Sequence, residues 1–150
     1  MTKKAGVTFI INDNIDIALL VKPDGVHIGQ DDIPIKEVRK LVGEDMIIGL
    51  STHSPQQALE AVQNGADYIG VGPVYKTYTK DNVCDPVGLE YVRFTAENID
   101  IPRVVIGGIK EHNMHEAIEA GAKCICLVSD IVGANDIKAK VKSILSKLNK

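Results

Sequence analysis

Glu60-Ala-Val-Gln-Asn-Gly-Ala66 recurs almost unchanged as Glu116-Ala-Ile-Glu-Ala-Gly-Ala122, so the chain contains a repeated unit. Each copy ends a stretch of helical period at a glycine and leads into a short apolar run. A glycine just past the last helical residue is the usual left-handed helix stop. A short apolar run without alternation is typical of a strand that is covered on both faces. Repeated helix, glycine and strand units are what a barrel or a doubly wound sheet requires.

The same alternation of strand and helix extends outward from the repeat along the whole chain. Six β-rich runs predict strands at residues 7–11, 25–28, 46–50, 68–71, 103–106 and 123–128. Helical period predicts intervening helices near 15–20, from 34 to 41–43, from 55 to 64, and at 89–98, 111–120 and 136–148. Ser54 before Pro55 reads as an N-cap followed by proline at the first helical position. We therefore expect an α/β fold with a parallel sheet, in one domain over residues 1–150.

The amino-acid composition limits which functions such a domain can have. A net charge of -3, from 17 basic and 20 acidic residues mixed along 150 positions, gives no electrostatic footprint for nucleic acid. Three cysteines without a C-x-x-C pair suit a reducing cytoplasm. No basic stretch leads into an apolar signal core, and the apolar runs are too short to span a bilayer. We expect a cytoplasmic protein, and we read the C-terminal lysines as complements to a terminal helix dipole.

Polar residues follow the predicted strands, where α/β folds place their active sites. The longest loop, residues 72–85, has neither helical nor strand period, and long loops in compact domains are usually functional. His53 lies beside these residues without a visible nucleophile to activate, and His27 reads as a core or supporting residue. The residues at these ends include the polar Asn12, Asp13, Gln30, Asp31, Asp32, Ser51, Thr52, His53, Thr77, Thr79, Lys80 and Ser129, together with the turn glycines Gly107 and Gly108.

The turns after the last two predicted strands indicate a phosphate site. Gly107-Gly108 and Val128-Ser129 occupy the positions where barrels commonly bind phosphate on backbone N–H groups. Paired glycines also serve ordinary tight turns, and it is the coupling to Ser129 that favours a ligand.

Asp13 and Asp32 end neighbouring predicted strands, and carboxylate oxygens beside a diphosphate are how proteins usually bind Mg2+. The competing interpretation is that each aspartate caps a helix, since Asp32 precedes Pro34 and Asp13 precedes a short helix. Lys80 in the hydroxyl-rich loop either neutralises leaving-group oxygens or is simply solvated. These residues leave both readings open.

Seven motifs in order resemble the thiamine phosphate synthase family and cover essentially the whole chain. They are Ile10-Ile-Asn-Asp13, Asp24-Gly-Val-His-Ile-Gly-Gln-Asp-Asp32, Ile48-Gly-Leu-Ser-Thr-His53, Gly65-Ala-Asp-Tyr-Ile-Gly-Val-Gly-Pro73, Thr77-Tyr-Thr-Lys-Asp81, Val105-Ile-Gly-Gly-Ile109 and Leu127-Val-Ser129. The resemblance implies a (β/α)8 TIM-barrel type of fold, here an incomplete barrel of about six βα units. It also implies a transferase that joins hydroxymethylpyrimidine diphosphate to thiazole phosphate, giving thiamine phosphate and diphosphate.

The same resemblance assigns roles to residues of this chain. It implies that Asp13 and Asp32 bind Mg2+, and that Lys80 and Ser51 serve the chemistry. It implies pyrimidine diphosphate binding by Asn12, Ser51 and Lys80, and thiazole phosphate binding by Thr77, Tyr78, Thr79, Gly108, Val128 and Ser129. No resident organic cofactor and no enzyme nucleophile are implied.

Two departures from the family pattern leave alternatives. Asn14 stands where many members carry arginine, and the family's first two strands, with a Gln-x-Arg-x-Lys segment, have no counterpart in this sequence. One alternative is a thiazole tautomerase-like enzyme, which Asp13, Asp32 and Lys80 disfavour. The other is a non-catalytic phosphate-binding remnant. Six strands would leave open sheet edges, so we expect self-association, as a homo-oligomer, and small-molecule substrates, with no nucleic-acid or membrane partner.

Overall fold

The computed structural model describes residues 2–79 and 84–148. Along these residues, strands and helices alternate as the sequence predicts up to residue 119, and two further helices follow without a strand between them. The elements are α1 (Thr2–Ala5), β1 (Ile10–Asn12), α2 (Ile15–Val21), β2 (Gly25–Ile28), α3 (Ile35–Val42), β3 (Ile47–Thr52), α4 (Pro55–Gln63), β4 (Tyr68–Val71), α5 (Gly88–Asn98), β5 (Arg103–Val105), α6 (Met114–Glu119), α7 (Ser129–Val132) and α8 (Ile137–Leu148).

The five strands form one parallel sheet in the order β1-β2-β3-β4-β5, so each strand lies beside the next one in the chain. Side chains alternate between the two faces of a strand. One face carries fully buried apolar residues, including Val26, Ile48 and Ile69, which pack with helical residues such as Ala18 and Val38 in the core. Sequential parallel strands with helices on one face are the wall of a βα barrel.

The opposite face of the sheet would line the inside of such a barrel. His27 pairs in register with Gly49, and Gly49 pairs with Tyr68, so these three residues share that face. His27 and Tyr68 are half-buried there. The sheet thus has an apolar side packed against helices and a more polar opposite side.

The predicted helix signals at α4 are confirmed. The Ser54 hydroxyl accepts a hydrogen bond from the Gln57 backbone N–H at 3.3 Å, with Pro55 at the first helical position. Gly65 and Gly121, which end the two copies of the repeat, have φ of 87° and 100°, in the left-handed region. At Gly121 an added Cβ would lie 2.6 Å from the Ala96 Cβ, so helix packing also requires a glycine there.

The predicted sixth strand, residues 123–128, is reduced to a single parallel bridge between Val105 and Ile125. Val105 accepts from Cys126 N–H at 2.8 Å and donates to Cys124 carbonyl oxygen at 2.9 Å. β5 is only three residues long, and among the described residues no strand lies on the other side of this segment. A ladder cannot extend along so short a partner, and the chain enters α7 at Ser129 instead.

Other predicted boundaries differ from the structure by one to three residues, most at the first strand and the sixth helix. The first strand begins at Ile10 rather than Val7, and the side chains of Val7 and Phe9 are 55% and 39% exposed. The sixth helix begins at Met114 rather than Glu111, because residues 110–113 form a turn in which Lys110 N–H donates to the Asn113 side-chain oxygen at 2.7 Å. None of the helices in residues 2–79 and 84–148 is long and apolar enough to cross a membrane.

Candidate active site

The carboxyl ends of β1, β2 and β3 bring the first group of predicted site residues to one edge of the sheet. Asn12 is the last residue of β1 and pairs in register with His27 of β2. The Asp13 N–H donates to the His27 carbonyl oxygen at 2.9 Å, which extends the strand pairing by one residue. Asp13 has a φ of 64°, a left-handed conformation that aspartate and asparagine adopt more readily than most residues.

Asp32 lies in the turn after β2. One carboxylate oxygen of Asp32 accepts the Gly29 backbone N–H at 2.7 Å, so the side chain folds back over its own turn. Neither aspartate occupies a helix N-cap position, since the N-cap residues are Asn14 for α2 and Pro34 for α3, and neither helix has a side-chain cap bond. The second oxygen of Asp32 is not used by the Gly29 contact. Within the described residues, no group of three or more acidic, histidine or cysteine side chains converges as a complete protein metal site.

Ser51, on β3, belongs to a network of side-chain hydrogen bonds that connects β2, β3 and β4. The His27 ring contacts the Ser51 hydroxyl through Nε2 at 2.9 Å and the Tyr68 hydroxyl through Nδ1 at 2.8 Å. Gln30 also reaches this strand, donating from its side-chain nitrogen to the Ser51 carbonyl oxygen at 2.6 Å. Burial raises the pKa of Tyr68 to about 12, with a further contribution from nearby Cys126, so the phenol stays protonated at neutral pH.

Two glycines make room for this network. A Cβ at Gly49 would lie 2.1 Å from the Tyr68 ring and 2.5 Å from the His27 Nδ1 atom. A Cβ at Gly70 would lie 3.3 Å from the His27 ring. The predicted supporting role of His27 thus has a structural basis, whereas nothing in our sequence reading pointed to Tyr68.

The second group of predicted site residues surrounds the loop after β4. The Thr77 and Thr79 hydroxyls are 3.1 Å apart, and the Tyr78 side chain is 83% exposed beside Lys76. The start of this loop is fastened to the next strand end, because Tyr75 N–H donates to the Gly107 carbonyl oxygen at 2.9 Å. Lys80, the predicted catalytic lysine, lies outside the described residues.

Gly108 lies against the loop after β4. Its φ is 66°, and an added Cβ would lie 2.8 Å from the carbonyl oxygens of Tyr75 and Lys76. The Gly108 carbonyl oxygen accepts from the Asn113 side chain at 3.2 Å. Glycine is therefore required here by the close approach of two loops as well as by the backbone conformation.

Val128 and Ser129 begin α7 and are exposed. The same short helix carries Asp130, whose carboxylate accepts a hydrogen bond from the Glu111 backbone N–H at 2.8 Å. Glu111 lies three residues after Gly108. The two turns predicted to bind phosphate are thus cross-connected in the structure.

Charged residues of α8 reinforce this connection. The Lys140 ammonium lies 2.7 Å from a Glu111 carboxylate oxygen and 3.0 Å from an Asp130 oxygen. Lys147 lies 2.7 Å from the other Glu111 oxygen, which also accepts the Ser143 hydroxyl at 2.6 Å. Our dipole reading of the C-terminal lysines therefore missed the acidic partners of Lys140 and Lys147.

These contacts shift the pKa of the acidic residues. The Lys140 ammonium, followed by Lys147 and the Ser143 hydroxyl, lowers the pKa of Glu111 to about 2. Burial alone would raise the pKa of Asp130, but the Glu111 N–H and Lys140 together lower it below its usual value.

The Glu111 contacts predict a specific acid sensitivity. A carboxyl whose pKa is about 2 in the folded state and about 4.3 unfolded stabilises the fold above the unfolded value. That stabilisation is lost as the pH falls from about 5 to about 2. We expect Glu111→Gln to lower stability at pH 7 and to flatten the decline between pH 5 and 2, measured by urea unfolding.

Glu37→Gln is the matched control for this prediction. Glu37 pairs with Lys40 on the surface of α3, where the two side chains are 53% and 70% exposed. Such a pair contributes little to stability. A decline in acid that is the same in wild type and Glu111→Gln would contradict the role of the Glu111 contacts.

Comparison with known proteins identifies the family of this chain. Residues 1–131 match the family model described as thiamine monophosphate synthase. The chain belongs to that family. The thiamine-phosphate synthase of Pelotomaculum thermopropionicum is 65% identical over 144 residues, which are 96% of this chain and 66% of that protein. The thiamine-phosphate synthase of Shouchella clausii is 55% identical over 143 residues, which are 95% of this chain and 68% of that protein.

A solved structure of the same family supports the fold. The thiamine phosphate pyrophosphorylase from Pyrococcus furiosus is 34% identical, with a TM-score of 0.87 over 99% of this chain and 72% of that one. The prediction of a (β/α)8-barrel type of fold, present here as part of the barrel, is confirmed. This chain spans about two thirds of the length of the thiamine monophosphate synthase family members it matches, 66% and 68% in the two cases above.

Proposed function

We propose that this chain carries most of the active site of a transferase that makes thiamine phosphate from hydroxymethylpyrimidine diphosphate and thiazole phosphate. The observation that carries the proposal is the gathering of the family's polar motif residues along one edge of the sheet. Asn12, Asp13 and Ser51 are fixed there by strand register and by the His27 contacts. Family membership supports the assignment of substrates.

In this proposal the pyrimidine diphosphate lies over the ends of β1 to β3. Asn12 and Ser51 bind it, and Lys80 neutralises charge that develops on the departing oxygens. The bond that breaks joins the pyrimidine methylene carbon to a diphosphate oxygen, and the bond that forms joins that carbon to the thiazole nitrogen. Positioning and charge stabilisation suffice for such a step, so no enzyme nucleophile is required.

Asp13 and Asp32 fit Mg2+ by the chemistry of their donor atoms. Both are carboxylates, and the Gly29 contact occupies only one oxygen of Asp32. Mg2+ in phosphate sites usually takes one or two protein carboxylates and fills the rest of its shell with water and phosphate oxygens. When bound, Mg2+ would neutralise charge on the diphosphate leaving group.

The thiazole phosphate is assigned to the other side of the site, between the residue 77–79 loop, Gly108, Val128 and Ser129. Backbone N–H groups of the two turns would receive the phosphate. The proximity of the Tyr75–Lys76 backbone to Gly108 supports this assignment, because it joins the loop and the turn into one wall.

The competing functions make different predictions. A thiazole tautomerase-like enzyme has no use for paired carboxylates that bind a metal diphosphate. A phosphate-binding remnant would bind thiazole phosphate without turnover. Purified protein supplied with both substrates and Mg2+ should release diphosphate and form thiamine phosphate if the proposal holds, whereas ligand binding without product would favour the remnant.

Ser129→Ala tests whether the phosphate is bound mainly by backbone. The Ser129 side chain is exposed, and its loss leaves the N–H groups of α7 in place. We expect thiazole phosphate binding to weaken by only about 0.5–1.5 kcal/mol, measured by calorimetry. A loss of more than about a hundredfold would show that the hydroxyl, not the backbone, is the main contact.

We also propose that the isolated chain self-associates. Among the described residues, β1 pairs with β2 alone; Phe9, which precedes β1, is 39% exposed, and Leu20 of the following helix α2 is 82% exposed. An unpaired edge with apolar neighbours favours association. Sedimentation at low micromolar concentration should show a concentration-dependent increase in mass that Leu20→Lys reduces and Leu59→Lys, on α4, does not. A concentration-independent monomer would refute this prediction.

A further inference from the structure

The two turns that would bind thiazole phosphate are not held together by a backbone ladder. Among the described residues, the hydrogen bonds between the β5 segment and the segment that follows α6 end at Cys126 N–H and the Val105 carbonyl oxygen. Gly108 and Ser129 both lie beyond that last bond. Something other than strand pairing must therefore set the distance between them.

The next connection along both segments is made by side chains. Asp130 accepts the Glu111 N–H, and Lys140 of α8 approaches both acids, at 2.7 Å to Glu111 and 3.0 Å to Asp130. These side chains are mostly shielded from water, with exposed fractions of 22% for Lys140, 16% for Glu111 and 19% for Asp130. Shielding strengthens ion pairs relative to those on an open surface.

The helix that supplies Lys140 is itself anchored. Ile144, one turn further along α8, is 4% exposed in the core. Ser143 and Lys147 add contacts to Glu111 from the same helix. Lys140 thus extends from a helix that is anchored by a core residue and by further contacts to Glu111.

We propose that Lys140 is a positioning residue for the thiazole phosphate site: by bridging Glu111 and Asp130 it fixes α7 against the turn after β5. This inference rests on the proposed function, because it concerns the phosphate site assigned there. Lys140 does not contact the phosphate in this proposal. Its role is to keep the backbone N–H groups of the two turns at the spacing that one phosphate requires.

Lys140→Met tests the proposal by removing the charge while keeping most of the side-chain length. We expect faster hydrogen exchange at the Glu111 and Gly133 amides, since Asp130 and α7 lose their fixed position. Thiazole phosphate should bind about tenfold more weakly, a size that residues without ligand contact can produce. Binding of Mg2+ diphosphate, assigned to Asp13 and Asp32, should remain unchanged.

Two matched variants separate positioning from general loss of stability. Lys140→Arg keeps the positive charge and should recover most of the affinity for thiazole phosphate. Lys142→Met removes an exposed lysine of the same helix and should leave both ligands unaffected. If Lys140→Met does not fold, Asp130→Asn serves instead, because its amide oxygen still accepts the Glu111 N–H while the ion pair with Lys140 is lost.

The outcomes distinguish this inference from the proposed function. Wild-type protein in which thiazole phosphate fails to shift the amide resonances of Gly108 and Ser129 would overturn both. Normal binding by wild type and equal binding by Lys140→Met would overturn the positioning role alone. Parallel weakening of thiazole phosphate and Mg2+ diphosphate would also overturn it, since that result indicates general destabilisation.

Discussion

Replacing Asp13 and Asp32 together by asparagine should weaken binding of Mg2+ diphosphate by at least about tenfold, or about 1.4 kcal/mol. Both substitutions are expected to preserve the backbone conformation. Asparagine tolerates the left-handed conformation of residue 13, where φ is 64°, and its amide oxygen can accept the Gly29 N–H in place of the Asp32 carboxylate. The expected loss of Mg2+ diphosphate affinity would therefore be caused by the missing carboxylate charge and not by a change in structure.

Calorimetry with Mg2+ and diphosphate, added separately and together, measures this effect. We expect Mg2+ alone to bind weakly to wild type, because two carboxylates leave most of its shell to water and phosphate. Asp16→Asn, in the exposed first turn of α2, is the control for removing one acidic charge. Unchanged binding of Mg2+ diphosphate by the double variant would show that the metal site is wrongly assigned.

Gly108→Ala is the second substitution for which a large effect is expected. The left-handed conformation, with φ of 66°, costs an alanine about 1–2 kcal/mol. The methyl group would also lie 2.8 Å from the carbonyl oxygens of Tyr75 and Lys76, and such overpacking costs about 1–3 kcal/mol more. The two loops must separate to relieve the contact, so thiazole phosphate affinity should fall together with stability.

Gly65→Ala provides a matched control, since Gly65 has a φ of 87° but no atom within 4 Å of an added Cβ. Gly65→Ala should lower stability only by the cost of the left-handed conformation, and it should leave the affinity for thiazole phosphate unchanged. Urea unfolding gives the stabilities, and calorimetry with thiazole phosphate gives the affinities. Equal destabilisation by the two variants would mean that the backbone of Tyr75 and Lys76 moves at little cost in free energy and does not hold a fixed position against residue 108.

The parallel sheet was predictable from sequence because its signals are local. The strands at Gly25–Ile28 and Tyr68–Val71 have the predicted bounds, and the Ser54 cap and the Gly65 stop are where the pattern indicated. Each of these signals depends on a few adjacent residues and on the period of their side chains. The sixth strand was wrong because apolar residues form a ladder only beside a partner of sufficient length, and β5 provides only three residues.

The candidate site was predictable only in part. Position at the ends of the strands indicated Asn12, Asp13 and Ser51, and their roles stay predictions until they are tested. We did not predict that the Tyr68 hydroxyl would reach the His27 ring, 41 residues away in the chain. The signal that could have found this contact is the side-chain alternation of β2 and β4, with Gly49 between them in register.

The order of helices and strands, the helix stops and the family motifs all follow from residues that are close together in the chain. By contrast, the contact between Lys140 and Glu111, 29 residues apart, and the approach of Gly108 to the backbone of residues 75 and 76 follow from packing. The two kinds of feature differ in the range of the interactions that produce them. Helix and strand formation depends on neighbours within a few positions, whereas ion pairs and close backbone approaches depend on how separate segments pack after those elements form.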